Sequence, residues 1–170
     1  GRMLATGSRD GSSALWDVES GKRLAVLDGD TAYTLENDSV QDDVVEVSFS
    51  PDGNVVATGK RGGDVTFWDT ASGKPIRVLP TQHKELFAFA FSPDGQRLAT
   101  GGFDGTINLW NVSTGRLRRT LRGHEGFIHA LAFTSDGRRI VSGSKDNSIR
   151  IWDVTSGKEL LLLDRHEERV

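Results

Sequence analysis

Cysteine is absent from this chain of 170 residues, and methionine and tyrosine occur once each. Without cysteine there are no disulfide bonds, thiolate metal ligands, iron–sulfur clusters or cysteine nucleophiles. No hydrophobic run approaches the roughly 18 apolar residues that a transmembrane helix needs, so we expect no membrane partner. The function classes that remain depend on polar, aromatic and aliphatic side chains.

Phosphate-binding loops and long helices are also missing from the sequence. No two glycines are separated by a single residue, which excludes the G-x-G-x-x-G dinucleotide motif. No window has a sustained apolar period of about 3.6 residues, so we expect few helices. Asp and Glu residues, 24 in all, outnumber 21 Lys and Arg residues. The resulting net charge of −3 argues against nucleic acid as a partner.

An internal repeat marked by tryptophan dominates the sequence. Trp16, Trp68, Trp110 and Trp152 lie 52, 42 and 42 residues apart, and each ends a strand-like run. Each run is preceded by another apolar run, such as VVATGK or RLATGG, and followed by a turn, such as ASGK or STGR. Apolar and polar residues alternate in these runs, as they do in half-buried antiparallel strands. The repeat therefore predicts units of four short strands.

Four-stranded units that recur every 40–45 residues or so, with a Trp-Asp signature, are typical of β-propellers. With the runs ALWD, VTFWD, TINLWN and SIRIWD, the chain resembles the WD-repeat β-propeller family. Its S-P-D-G turns are most similar to those of bacterial members. The resemblance implies an all-β fold of four-stranded antiparallel blades, with three complete blades and three strands of a fourth.

The resemblance also implies an inward-facing polar network in each blade, formed by a His, a Ser or Thr, an Asp and the Trp. The matching residues are Thr6, Asp10 and Trp16; Thr58 and Trp68; Thr100, Asp104 and Trp110; and His124, Ser142, Asp146 and Trp152. In the third unit Gln82 stands at the histidine position, and His83 follows one residue late. The second unit has Gly62 for the Asp and Val40 for the His. We expect the second blade to be the least stable, because each lost buried hydrogen bond costs about 1 kcal/mol.

The repeat spacing predicts one partial propeller over residues 1–170. Its blades are expected at 2–27, 44–79, 86–121 and 127–163. The first blade lacks its innermost strand, so we expect further blades of a longer chain, or copies of this chain, to complete the ring. Residues 28–43 are an acidic insertion with six acids and no Lys or Arg. We interpret it either as a solvated loop or as a binding or capping loop anchored by Tyr33 and Leu35.

In this family the residue before each turn Asp projects from the top face and often contacts partners. The predicted partner-binding residues are Arg9, Arg61, Phe103 and Lys145 at those positions, with Phe127 and Tyr33. Cations and exposed aromatic rings suit an acidic or phosphorylated peptide. Two alternatives remain: charges occupy these loops only because loops are exposed, or the cations bind nucleic acid.

Catalysis is a weaker interpretation of the same residues. The His, Ser and Asp of the fourth unit resemble a hydrolase triad, but the Asp turn recurs at fixed distances from tryptophan, whereas an active site occurs once. His83, His124 and His166 lie about one blade apart, which does not suit a metal site. We predict a non-catalytic protein-interaction scaffold with no cofactor or metal. The alternatives are a self-associating half-propeller and, less favoured, an enzyme with its site at the channel mouth.

Overall fold

Fifteen strands make up the regular secondary structure of the computed structural model, which describes residues 2–27 and 43–163. Blade 1 contains β1 (Met3–Gly7), β2 (Ser13–Asp17) and β3 (Arg23–Val26). Blade 2 contains β4 (Val44–Phe49), β5 (Val55–Lys60), β6 (Asp64–Asp69) and β7 (Pro75–Pro80). Blade 3 contains β8 (Leu86–Phe91), β9 (Arg97–Gly102), β10 (Ile107–Asn111) and β11 (Leu117–Leu121). Blade 4 contains β12 (Ile128–Phe133), β13 (Arg139–Ser144), β14 (Ile149–Asp153) and β15 (Glu159–Leu163).

Each blade is an antiparallel meander whose strands pair in chain order. The prediction of an all-β fold, with one three-stranded and three four-stranded antiparallel sheets, is confirmed. The turns between first and second strands need a left-handed residue, and Gly53, Gly95 and Gly137 supply it with φ values of 74°, 66° and 66°. Residues 2–27 and 43–163 contain no helix long and apolar enough to cross a membrane.

The hydrophobic core lies between neighbouring blades. Phe67 and Leu79 of blade 2 pack with Phe89 and Trp110 of blade 3, and all four are at most 3% exposed. A second cluster joins blades 3 and 4, and a third joins blades 1 and 2. Burial of apolar surface, at about 25 cal/mol per Å², therefore stabilises the contact between blades as well as each sheet.

A β-bulge recurs in the first strand of each complete blade. The pairing of β4 with β5 shifts at Val45, that of β8 with β9 at Phe87, and that of β12 with β13 at His129. Because a bulge inserts one unpaired residue, it turns that side chain away from the regular alternation. The bulges thus decide where Phe87 and His129 point.

Candidate interaction surface

Blade 4 contains the most extensive polar network. Asp146 Oδ2 lies 2.8 Å from His124 Nδ1, and Ser142 Oγ lies 2.8 Å from His124 Nε2. Trp152 Nε1 donates to the same Ser142 hydroxyl at 2.8 Å. The side chains of His124 and Asp146 are only 0% and 13% exposed. The network therefore joins the segment before β12 to the interior of β13 and to the following turn.

One proton arrangement satisfies the buried groups of this network. A carboxylate only accepts, so His124 Nδ1 donates to Asp146, and Nε2 accepts the hydroxyl proton of Ser142. Burial lowers the pKa of His124, which favours the neutral ring that this arrangement requires. Burial alone would raise the pKa of Asp146, but hydrogen bonds from Ser148, a backbone N–H and His124 outweigh it and hold that pKa well below its usual range.

The prediction that Gln82 takes the histidine position of blade 3 is wrong. His83 does so: its Nδ1 lies 3.3 Å from Asp104 Oδ1 and its Nε2 lies 3.1 Å from Thr100 Oγ1. Gln82 adopts a left-handed φ of 64°, and this local turn places the next side chain inside the blade. Trp110 Nε1 donates to Thr100 Oγ1 at 2.9 Å. Burial lowers the pKa of His83, although the carboxylate of Asp104 opposes the shift.

Blade 2 keeps only the tryptophan part of the network among the residues described. Trp68 Nε1 donates to Thr58 Oγ1 at 2.9 Å. Gly62 lies at the aspartate position and supplies no carboxylate. Val40, at the predicted histidine position, lies outside the described residues. The hydroxyl of Thr58 consequently has the indole of Trp68 as its partner without a histidine on its other side.

Blade 1 shows the same tryptophan bond in a more exposed sheet. Trp16 Nε1 donates to Thr6 Oγ1 at 2.9 Å. Asp10 accepts hydrogen bonds from the backbone N–H and the hydroxyl of Ser12, at 2.9 and 2.6 Å. These bonds lower the pKa of the Asp10 carboxyl. In blade 1 the Asp turn is therefore stabilised by hydrogen bonds within the turn itself.

The His–Ser–Asp set of blade 4 is largely shielded from solvent. Ser142 is 0% exposed, so a substrate cannot reach its hydroxyl without opening the blade. Nucleophilic catalysis would need that oxygen at an accessible surface. Across the described part of the chain, no group of three or more His, Cys, Asp or Glu side chains is placed to hold a metal ion.

Backbone hydrogen bonds fix the predicted top-face residues beside the start of each blade. In every complete blade the N–H of the residue before the turn Asp, or its equivalent, donates to the carbonyl that precedes or begins the first strand. These bonds run from Arg61 to Asp43 (2.8 Å), from Phe103 to Glu85 (2.9 Å) and from Lys145 to Phe127 (2.9 Å). The side chains therefore leave a well-anchored backbone rather than an unsupported loop.

Three phenylalanine rings from blades 3 and 4 lie together on this face. The ring centroid of Phe87 is 4.7 Å from that of Phe127, with 23° between the planes. Phe103 lies 6.2 Å from Phe127 at 9°. His129 meets Phe127 edge-on at 4.6 Å. Phe103 remains 57% exposed, so the cluster offers an aromatic face to the surroundings.

A cation lies at each side of this aromatic cluster. The guanidinium carbon of Arg61 is 5.1 Å from the Phe87 centroid, and the ammonium nitrogen of Lys145 is 5.1 Å from the Phe127 centroid. Both distances suit cation–π contact. We name these residues with Phe103 the aromatic–cation surface: Arg61, Phe87, Phe103, Phe127 and Lys145. It brings together four of the six predicted partner-binding residues.

Arg61, predicted from the sequence as a partner-binding cation, forms two ion pairs within the protein. Its Nε lies 3.5 Å from Asp43 Oδ2 and its Nη1 lies 3.6 Å from Glu85 Oε2. Only 24% of its side chain is exposed. Its charge is therefore balanced within the protein, and Lys145 is the more accessible cation of the surface.

The two remaining predicted residues lie apart from the surface or cannot be placed. Arg9 is exposed in the turn between β1 and β2, and no ion pair or ring contact with a described residue joins it to the surface. Tyr33 lies in 28–42, outside the described residues.

Sequence reasoning missed Phe87 and the carboxylates around Arg61. The run LFAFAF signals a strand, but alternation does not reveal the bulge that turns Phe87 toward the top face. The carboxylates carried a weak signal, since Asp43 and Glu85 occupy equivalent positions before successive first strands.

Comparison with known protein families agrees with this architecture. Residues 73–111 and 115–153 each match the family described as WD domain, G-beta repeat. Each match starts just before the fourth strand of one blade and ends with the third strand of the next blade. Residues 23–88 match the family described as Anaphase-promoting complex subunit 4 WD40 domain. The chain belongs to the WD40 repeat family.

Individual WD40 relatives are similar over shorter stretches. Periodic tryptophan protein 2 homolog of Schizosaccharomyces pombe is 33% identical over 79 residues, 46% of this chain and 8% of the relative. A guanine nucleotide-binding protein subunit beta of Oryza sativa subsp. indica is 36% identical over 73 residues, 41% of this chain and 18% of the relative. An uncharacterized WD repeat-containing protein of Nostoc is 54% identical over 33 residues, 19% of this chain and 2% of the relative.

These alignments span less than a fifth of the length of each of these relatives. The alignments support a shared repeat, but they do not support a shared binding partner. WD40 repeats are generally non-catalytic, and they typically serve as scaffolds for protein interaction.

Proposed function

We propose that this chain is a WD40 interaction scaffold whose aromatic–cation surface docks a partner protein. The observation that supports this most strongly is the cluster of Phe87, Phe103 and Phe127, built across two blades with one ring 57% exposed. Exposed apolar clusters with a polar rim are typical of interaction sites. Aromatic and arginine side chains also dominate the residues that carry binding energy in interfaces.

The partner segment would present a large apolar side chain next to an acidic or phosphorylated group. The apolar group would pack on Phe103 and Phe127, and the anion would approach Lys145. Arg61 contributes mainly through its contact with Phe87, because Asp43 and Glu85 already balance its charge. Arg9 and Tyr33 are proposed as peripheral contacts of the same partner.

Site-specific photo-crosslinking tests this proposal. A photoreactive phenylalanine analogue replaces Phe103, and the chain is irradiated in an extract of its source cells. We expect a discrete adduct with a protein, and we expect Phe127→Ser to reduce its yield at least tenfold because the packing surface is lost. Lys145→Glu should reduce the yield less, in proportion to the acidity of the partner.

The same analogue at Ser135 provides the control, because Ser135 is exposed in the turn between β12 and β13, away from the surface. An adduct seen equally from Ser135, or unchanged by Phe127→Ser, would contradict the assignment of the partner site. Crosslinking to many different proteins, without a discrete adduct, would also contradict the assignment of the partner site.

Self-association is a second candidate, favoured by apolar positions at the two outer blades. Leu163 of blade 4 is 45% exposed, whereas its equivalents Leu79 and Leu121 are each 2% exposed. Leu4 of blade 1 is 53% exposed, whereas its equivalent Ile140 is 0% exposed. Within the chain, the corresponding surfaces of successive blades pack against each other, so copies could pair in the same way.

Light scattering after size exclusion across a concentration series tests this second candidate. Pairing of copies predicts a mass at a multiple of 18.5 kDa that Leu163→Lys lowers to the monomer. A monomer at every concentration would reject self-association and would leave the aromatic–cation surface unaffected.

A further inference from the structure

A groove lies between blades 2 and 3 at the end opposite the aromatic–cation surface. It has a volume of about 370 Å³ and runs between the Ser50–Gly53 turn and the Ser92–Gly95 turn. Its apolar walls are formed by Val55, Phe91 and Val112, together with the prolines of the two turns.

The equivalent place between blades 3 and 4 is occupied by an arginine of the chain itself. Arg97 stands 42 residues after Val55, at the same position of the second strand. Its Nη2 lies 3.3 Å from Asp94 Oδ2 of its own turn, and a Cβ added to Gly137 of the next turn would lie 3.4 Å from the same nitrogen. Arg97 therefore crosses from one blade to the next.

At the boundary of blades 2 and 3 the shorter Val55 leaves that space open. A Cβ added to Gly95, the counterpart of Gly137, would meet only Pro51 Cδ, at 3.6 Å, among atoms within 4 Å. The apolar floor is correspondingly less covered, since Val112 is partly buried while its counterpart Val154 is 7% exposed. One substitution in the repeat thus accounts for the groove.

The rim of the groove is acidic. A hydrogen bond from Ser50 lowers the pKa of Asp52, and one from Ser92 lowers that of Asp94, so both carboxylates are charged at neutral pH. Asp94 is paired with Arg97, whereas Asp52 forms no ion pair with a described residue, and its Oδ2 accepts a hydrogen bond from Asn54 Nδ2 at 3.0 Å. Arg77 lies nearby, with its Nη1 3.5 Å from the carbonyl oxygen of Val112. The carboxylate of Asp52 is the counterpart of the one that Arg97 uses.

We propose that this groove is a docking site for an arginine side chain of a partner protein. The aliphatic stem would pack on Val55, Phe91 and Val112. The guanidinium would pair with Asp52 as Arg97 pairs with Asp94, and it would share or replace the neutral amide of Asn54 at Oδ2. The planar, forked guanidinium fits both a carboxylate and an aromatic ring, which a lysine ammonium does less well. The site is independent of the aromatic–cation surface.

Titration of the 170-residue chain with acetyl-Gly-Arg-Gly-amide tests the proposal by NMR. We expect saturable shifts of the Val55 and Val112 methyl groups, with a dissociation constant of roughly 1–10 mM for so small a ligand. The citrulline peptide, which keeps the shape and removes the charge, should bind at least about tenfold more weakly. The lysine peptide should also bind more weakly than the arginine peptide.

Two variants exchange the residues that distinguish the open boundary of blades 2 and 3 from the filled boundary of blades 3 and 4. Val55→Arg should place a guanidinium of the chain in the groove and abolish the saturable shifts at Val112. Arg97→Val should open the boundary of blades 3 and 4, so that the arginine peptide then also shifts the Val154 methyl groups. This gain of a second site is a result that a merely destabilised variant cannot produce.

Asp52→Asn should weaken arginine-peptide binding about tenfold, because a charge-assisted bond becomes neutral. Asp136→Asn is the matched control, since Asp136 makes the same local turn bonds in blade 4 but does not line the groove. Three results would overturn the proposal: no saturable shift, equal binding of the arginine and citrulline peptides, or binding that persists in Val55→Arg.

Discussion

Blade 4 and blade 2 are built on similar apolar positions but differ in their polar networks. Ile140 and Trp152 in blade 4 are 0% and 2% exposed, and their equivalents Val56 and Trp68 in blade 2 are 0% and 3% exposed. Blade 4 adds a buried histidine and an aspartate to the tryptophan bond, whereas blade 2 has the tryptophan bond without the carboxylate. The hydrophobic pattern is thus sufficient to form a blade, and the polar network is an addition to it.

The buried histidine and the aspartate of blade 4 connect segments of the chain that the strand pairing does not join. In blade 4, Asp146 Oδ2 accepts from the Glu125 backbone N–H at 3.0 Å as well as contacting His124. The segment before β12 is thereby fixed to the turn after β13. Blade 3 has an intermediate form, in which Asp104 is 55% exposed and lies farther from His83, at 3.3 Å. The three complete blades therefore form a graded series.

The largest expected effect comes from removing the central hydroxyl of each network. Ser142→Ala leaves the buried Trp152 N–H and His124 Nε2 without their partner, and should lower the free energy of unfolding by about 2–4 kcal/mol. Thr58→Val in blade 2 leaves only the indole N–H of Trp68, and should cost about 1–2 kcal/mol. Chemical denaturation monitored by tryptophan fluorescence measures both. Equal losses would remove the distinction between the blades.

A smaller effect separates blade 4 from blade 3. Asp146→Asn removes a nearly buried carboxylate with several donors and should cost about 1.5–3 kcal/mol, whereas Asp104→Asn should cost about 0.5–1 kcal/mol because its partner distance is longer and solvent screens it. The same denaturation curves report the two values. A larger loss for Asp104→Asn would reverse the series.

A third effect is a dependence of stability on pH. Burial lowers the folded-state pKa of His83 and His124 below the unfolded value of about 6.5, so the unfolded chain binds more protons as pH falls below that value. The free energy of unfolding should therefore decrease as the pH is lowered from 7.5 to 5.5. The decrease should be at most about 1.4 kcal/mol per pH unit for each histidine. Thermal denaturation at several pH values measures the slope.

Replacing both buried histidines, as in His83→Gln with His124→Gln, should flatten this slope. His129→Gln serves as the control for removing an exposed imidazole. A slope that persists in the double variant would assign the pH dependence to other groups.

Much of the fold was predictable because its determinants are local and repeated. Alternation and turn residues predicted the strands, and the four tryptophans predicted their grouping. The position of His83 was not predictable in this way, because it depends on the left-handed backbone of Gln82, which is an unusual conformation for that residue type.

The candidate sites were only partly predictable, because they depend on contacts between blades. Phe103, Phe127 and Lys145 were predicted from the family resemblance, but Phe87 joins them through a bulge that alternation does not show. The ion pairs of Arg61 with Asp43 and Glu85 depend on how far side chains reach across two blades. The groove becomes evident only when Val55 is compared, in the folded structure, with Arg97 at the equivalent position of the next blade.

The most direct measurement compares crosslinking from Phe103 in the Ser142→Ala and Phe127→Ser chains, at a temperature where both are folded. If the networks serve stability and the surface serves binding, Ser142→Ala keeps the adduct and Phe127→Ser loses it. Loss of the adduct in Ser142→Ala, with retention in Phe127→Ser, would contradict both assignments.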